Sequence, residues 1–265
     1  MLGLGHSLVG GTVLTGYNNT HALSFDATDD IVNTNSTFQS TFRGSFSVSF
    51  WMNSTTIENH GHLWGTAENG DTDKVAMYTR GGHRRLSLIF ISDGNSMRHE
   101  SNSITFAADS GSGDGGTEGV WKHFAVTWTK GSSGDGTATF HENGEPVTCT
   151  TTGGISDTEQ DAYTNPHELY IGKSNYDGAV HSQKYAMKLD DWALWNVALS
   201  ETAIRDIYNS GVPTDLLEPN GNYTNQGDLV AYYKLNEGSG TTATDETGGS
   251  NGTVSGGATY ITDTP

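Results

Sequence analysis

Lys188–Gly211 reads KLDDWALWNVALSETAIRDIYNSG, and its two halves obey different periods. In the first half, Leu189, Asp191, Ala193 and Trp195 alternate with Asp190, Trp192 and Leu194, the two-residue repeat of a pleated strand. In the second half, Ile204, Ile207 and Tyr208 fall at i, i+3 and i+4 and share one helix face. Ser200 supplies an N-cap, and Glu201 puts negative charge in the first turn, where the helix dipole favours it. Gly211 is placed to end the helix, with Pro213 two residues beyond. The stretch predicts a strand, a tight turn and one short helix.

Upstream, the same two-residue period recurs. His21–Asn33, HALSFDATDDIVN, reads as strand, acidic turn, strand. Ser45–Met52 alternates polar and apolar residues before becoming wholly apolar. Strands are also predicted at 62–64, 75–78, 86–91, 104–106, 119–128 and 169–172. Thr137–Val147 is predicted as a hairpin, because Asn143-Gly144 is the favoured pair for a type I′ turn. Gly111-x-Gly113-x-x-Gly116 matches a dinucleotide fingerprint only literally. No helix follows it, Asp114 would repel a pyrophosphate, and the next segment is a strand.

The 265 residues suit one large β domain or two small ones. Thirty-one acids against 13 bases give a formal charge of −18, which repels phosphate backbones and argues against nucleic-acid binding. Gly, Ser, Thr and Asn abound, but 10% aromatic residues point to a packed, turn-rich β protein rather than a disordered one. Cys149 is the single cysteine, so there is no disulfide framework. No apolar run approaches the roughly 18 residues of a membrane helix, so no membrane insertion is expected. Residues 1–16, MLGLGHSLVGGTVLTG, lack the basic start and long apolar core of a signal peptide. They read as a docking arm that would bury Leu2, Leu4, Leu8 and Val9 against a neighbour.

Several of these segments, in order, resemble the laminin-G-like and pentraxin-like domains of the concanavalin A-like lectin/glucanase superfamily. The matching residues are Ala22-Leu23 with Phe25-Asp26 and Asp29-Asp30; Gly119–Trp128; Leu169–Gly172; and Leu189-Asp190-Asp191 with Trp195-Asn196 and Ala198-Leu199-Ser200. The resemblance implies an all-β fold, a two-sheet antiparallel jelly-roll sandwich with one short helix near 200–210. Leu229–Asn236, followed by EGSGTTATDETGG, resembles the strand that normally opens such domains, yet here it comes last. A circular permutation or the start of a second domain would explain this. About 35 residues cannot bury a core alone, which favours permutation: an arm at 1–16 and one sandwich at 17–263, completed by the strand 228–235.

Asp26, Asp29, Asp30, Asp190 and Asp191 are all-oxygen hard ligands, suited to calcium rather than zinc. In the resembling family, acids of these two motifs often hold a structural calcium, which implies that Asp26 or Asp29 pairs with Asp190 or Asp191. The alternative is solvated turn acids. Asn69–Asp73 is a second oxygen-rich loop, and His60 and His62 share a strand face. The five N-x-S/T matches are expected by chance in so Asn/Thr-rich a chain.

Glycosidases of this fold class carry E-x-D-x-E on one strand. Here Glu159-Gln160-Asp161 begins that pattern but position 163 is Tyr, and no G-x-S-x-G or H-E-x-x-H is present. The sequence therefore reads as a non-enzymatic module, and a glycoside hydrolase is the weakest of the readings. Resemblance of the two termini to marine-phage structural proteins implies a virion component, a capsid decoration or tail-fibre part. Its partners would be other virion proteins or copies of itself through residues 1–16, and host-surface polysaccharide. A free-standing calcium-dependent lectin or adhesin at a cell surface is the alternative. Six tryptophans, at 51, 64, 121, 128, 192 and 195, are available to stack on sugars or to fill a core.

Overall fold

The computed structural model describes residues 17–54, 61–66, 72–80, 85–102, 119–165, 167–173 and 186–265. The docking arm at 1–16, the strand expected at 104–106, the glycine triplet at 111–116, His60 and residues 69–71 lie outside them. In chain order the elements are β1 (Ala22–Asp26), β2 (Ile31–Asn33), α1 (Gln39–Phe42), β3 (Phe46–Asn53), β4 (His62–Gly65), β5 (Lys74–Arg80) and β6 (Arg85–Ser92). They continue with β7 (Asn95–Ser101), β8 (Lys122–Thr129), β9 (Thr137–Glu142), β10 (Glu145–Val147), β11 (Cys149–Gly153), α2 (Asp157–Asp161) and β12 (Tyr170–Ile171). The last are β13 (Ala186–Trp195), α3 (Glu201–Tyr208), β14 (Leu229–Tyr233), β15 (Thr242–Ala243), β16 (Gly252–Ser255) and β17 (Thr259–Ile261).

These strands form two antiparallel sheets. One runs β10-β9-β8-β3-β13-β1-β17 and the other β11-β7-β6-β5-β4-β12-β2-β16-β15. Their facing sides enclose the main core, in which Phe46, Val48, Phe50 and Met52 of β3 meet Trp64, Leu88, Phe90, Phe124, Trp128 and Trp192. The fold is the expected all-β sandwich.

The centre of the first sheet is β13, whose ten residues need two partners along one edge. β1 pairs with Ala186–Leu189, and β14 takes over at Trp192–Trp195. The C-terminal strands thus enter both sheets: β14 and β17 complete the first, and β15 and β16 the second. At the changeover, between Asp190 and Ala193, the register against β3 slips, and Asp191 adopts a left-handed φ of 50°. The slip breaks the simple alternation expected from the sequence. Leu189 faces the core together with Trp192 and Leu194, whereas Ala193 and Trp195 face the opposite side.

On that opposite, outer side lies α3. Ser200 caps it by accepting from the Ala203 amide at 3.1 Å, and Ala203, Ile204 and Ile207 pack with Ala193, Trp195, Leu216 and Tyr232. The helix ends at Asn209, in a left-handed conformation, two residues before the predicted Gly211. The hairpin β9–β10 turns through Asn143 and Gly144, both at positive φ (50° and 79°), as a type I′ turn requires.

Candidate functional site

The five candidate acids do not converge. Asp26 lies opposite Ala186, whereas Asp190 is four residues further along β13. At about 3.3 Å per residue that is ~13 Å of strand, too far for one ion whose ligands lie at about 2.3–2.6 Å. Along the sheet, Asp26 and Asp190 are thus not brought side by side. Among the described residues, no three His, Cys, Asp or Glu side chains gather as a metal-binding group.

Several of these carboxylates accept hydrogen bonds from nearby protein donors. Asp26 Oδ1 accepts from the Thr28 amide at 2.7 Å, and Asp30 Oδ2 accepts from the Asp26 amide at 2.6 Å. Asp30 is buried, which raises its carboxyl above the usual range; Asp26 and Asp29 are exposed turn acids. Asp190 and Asp191 fill the gap between β1 and β14. Asp190 Oδ2 accepts from Asn19 Nδ2 at 2.7 Å, and Asp191 Oδ1 accepts from the Tyr17 and Tyr232 hydroxyls at 2.5 and 2.7 Å. Burial pushes the Asp191 carboxyl up to about 7, and Asp190 rises through burial and through its neighbour's charge. This pair clasps the segment before β1 onto the sheet. Asn236 holds the same segment, accepting from the Thr20 and His21 amides and donating to Asn18 O.

The other candidates also have structural partners. Asp73 accepts from the amides of Asp93 and Thr164. His62 is buried and stacks on Tyr78. Glu159, in the partial E-x-D-x-E match, closes a capping box on Ser156 at the start of α2. The next residue, Gln160, is wholly buried and accepts from Trp128 Nε1 at 3.1 Å. Ser156-x-x-Glu159 is the local sequence signature of this helix start.

Of the six tryptophans, five are buried, and only Trp121 is partly exposed. It stands at the end of the outer face that α3 leaves open. Next to α3, Trp51 and His123 pair across β3 and β8 and are covered by Tyr208, whose ring centroid lies 5.8 Å from that of Trp51. One step further along, Asn53, Lys188 and Ser24 form a cross-strand row over β3, β13 and β1, continued by Thr259 of β17. Strand alternation turns these polar residues outward, because Met52, Leu189, Met187, Leu23 and Phe25 point into the core.

The row borders a cavity of about 180 Å³ lined by Ser24, Phe25, Asn53, Ser54, Ala186, Met187 and Lys188. Asn53 is 2% exposed; its Nδ2 donates to Gly119 O at 2.8 Å, while its buried Oδ1 has no hydrogen-bond partner among the described residues. Asp263, in the tail after β17, joins the row to the tryptophan. Its Oδ1 accepts from Trp121 Nε1 at 3.1 Å and its Oδ2 from Lys188 Nζ. The lysine bond holds the Asp263 carboxyl below its ordinary range against desolvation, and the tryptophan bond adds to it in the same direction. An aromatic edge, a buried acceptor unmatched among the described residues, an ammonium and hydroxyls thus lie along one row. Sequence reasoning named Trp121 only as one tryptophan among six; the composition of the row depends on register, which no local signal reveals.

Solved structures share this architecture. A Bacteroides ovatus protein, provisionally named a carbohydrate-binding protein, superposes with a TM-score of 0.57 at 18% identity over 94% of this chain and 62% of its own. The chain therefore spans less than two thirds of that relative. The CBM40 of a Ruminococcus gnavus IT-sialidase superposes with a TM-score of 0.50 at 12% identity over 73% of this chain and 96% of its own. At these identities the likeness is one of fold. No curated protein matches the chain. Residues 26–205 match the family model Laminin_G_3, and the chain belongs to that family of the concanavalin A-like lectin/glucanases superfamily.

Proposed function

We propose that this protein is a carbohydrate-recognition module that binds glycan at the outer-face row. The observation that carries the reading is Asn53, which lines a cavity near the partly exposed Trp121 and whose buried Oδ1 has no partner among the described residues. A buried acceptor gains most from a ligand that supplies a donor, since leaving it unmatched costs about 1–3 kcal/mol. Sugars present hydroxyl donors on one edge and an apolar C–H face on the other, and an indole accommodates that face. Ser24 and Lys188 supply further polar contacts, and Asp263 holds Trp121 and Lys188 in place before any ligand arrives. Such preorganisation reduces the ordering cost of binding.

The superfamily membership and the carbohydrate-linked names of the two fold relatives support this reading. On a virion, as the terminal resemblance implied, or at a cell exterior, the module would serve attachment to surface polysaccharide. A glycan array probed with the full chain tests it. Trp121→Ala is expected to weaken every positive signal by about two- to tenfold, in line with an aromatic contact of ~0.5–1.5 kcal/mol, without lowering the melting temperature. An array with no positive signal, or signals indifferent to Trp121→Ala and Asn53→Ala, would defeat the proposal.

A further inference from the structure

The exposed row presents one cation, Lys188, and the tail places one anion, Asp263, directly on it. Their side chains are 34% and 50% exposed, so both are within reach of a ligand. Lys188 belongs to β13 and Trp121 immediately precedes β8, with β3 between those strands. A single carboxylate from a third part of the chain therefore spans the row, accepting from both.

We infer that Asp263 is the specificity-determining residue of this site, selecting uncharged, hydroxyl-rich sugars and rejecting sugars that carry carboxylate or sulfate. The inference rests on the carbohydrate reading above. An ammonium has three donor hydrogens, and Asp263 engages only one carboxylate oxygen with it. Lys188 can thus still donate to a sugar hydroxyl, while a neighbouring hydroxyl donates to Asn53 Oδ1; a pair of adjacent hydroxyls satisfies both at once. An anionic substituent seeking the same ammonium meets Asp263 already there, and like charges placed side by side penalise the wrong ligand. The net charge of −18 acts in the same direction at longer range.

The test compares the full-length protein with Asp263→Asn on matched neutral and 6-O-sulfated oligosaccharides, reading affinity for each and the ratio between them. Asn keeps an acceptor for Trp121 Nε1 and removes the charge beside Lys188. The wild type is expected to prefer the neutral member of each pair. The variant is expected to shift the ratio about tenfold toward the sulfated member, with a dependence on NaCl concentration that the wild type lacks. Asp263→Ala, which also releases the indole, should weaken binding to neutral sugars as well. Melting temperatures confirm that both variants are folded, and the wild-type preference is a test that needs no variant. A wild type that favours sulfated sugars, or an Asp263→Asn ratio equal to the wild type's, overturns the role of Asp263 while leaving glycan binding intact. A wild type that binds neither class removes the carbohydrate reading and this inference together.

Discussion

Asp191→Asn tests whether the buried Asp191 is held by its two tyrosine hydroxyls without a cation. Asp191 is 3% exposed, and burial, countered by the Tyr17 and Tyr232 hydroxyls, pushes its carboxyl up to about 7. In the unfolded chain an Asp titrates near ~3.9. The folded value is the higher one, so the folded state holds the proton more tightly. Below about pH 4 both states are protonated and the group adds no pH dependence. Between about pH 4 and 7 the unfolded chain gives up its proton first, and stability falls; above about 7 the loss is complete. Roughly three units at ~1.4 kcal/mol each amount to about 4 kcal/mol. Asp190, raised in the same direction, steepens the fall. An Asn at 191 keeps an acceptor for both tyrosines, tolerates the left-handed backbone there and carries no charge to desolvate. The variant is expected to match the wild type near pH 4 and to exceed it by about 2–4 kcal/mol at pH 8, measured by urea unfolding at a series of pH values. A variant less stable than the wild type at pH 8, with the same slope between pH 4 and 7, would refute the reasoning. It would mean that the carboxylate is ionised in the fold and matched by a cation, and repeating the titration with added calcium or EDTA would reveal which.

Ending the chain at Gly227 removes β14–β17. Tyr232, Tyr233, Leu235 and Val254 are all buried, and at about 1.5–3 kcal/mol each their loss rivals the ~5–15 kcal/mol stability of a whole domain. No cooperative melting is expected of the truncated chain, and an unchanged transition would show that the C-terminal strands are dispensable. Gly144→Ala should cost about 1–2 kcal/mol by thermal melting, because φ is 79° and a Cβ would come within 3.0 Å of the Tyr208 ring. Ser156→Ala should cost about 0.5–2 kcal/mol, since it removes half of the capping box at α2.

Local chemistry alone determined the strand that follows Ser45, the hairpin turn and the cap of α3. Alternation at 45–52, Asn143-Gly144 and Ser200 each dictate a backbone conformation within a few residues, and each is found where its pattern places it. The −18 charge and the single cysteine are likewise properties of the chain itself. Tertiary structure decided what depends on register and on distant partners. Asp190 and Asp191 read as hard ligands, but the changeover from β1 to β14 along β13 gives them Asn19, Tyr17 and Tyr232, residues far away in sequence. Trp121, Asn53, Lys188 and Asp263 come from four separate segments and carry no shared motif. Antiparallel pairing sets Asn53 beside Lys188, and the tail after β17 brings Asp263 onto Lys188 and Trp121; a slip of one position would turn the polar row into the core.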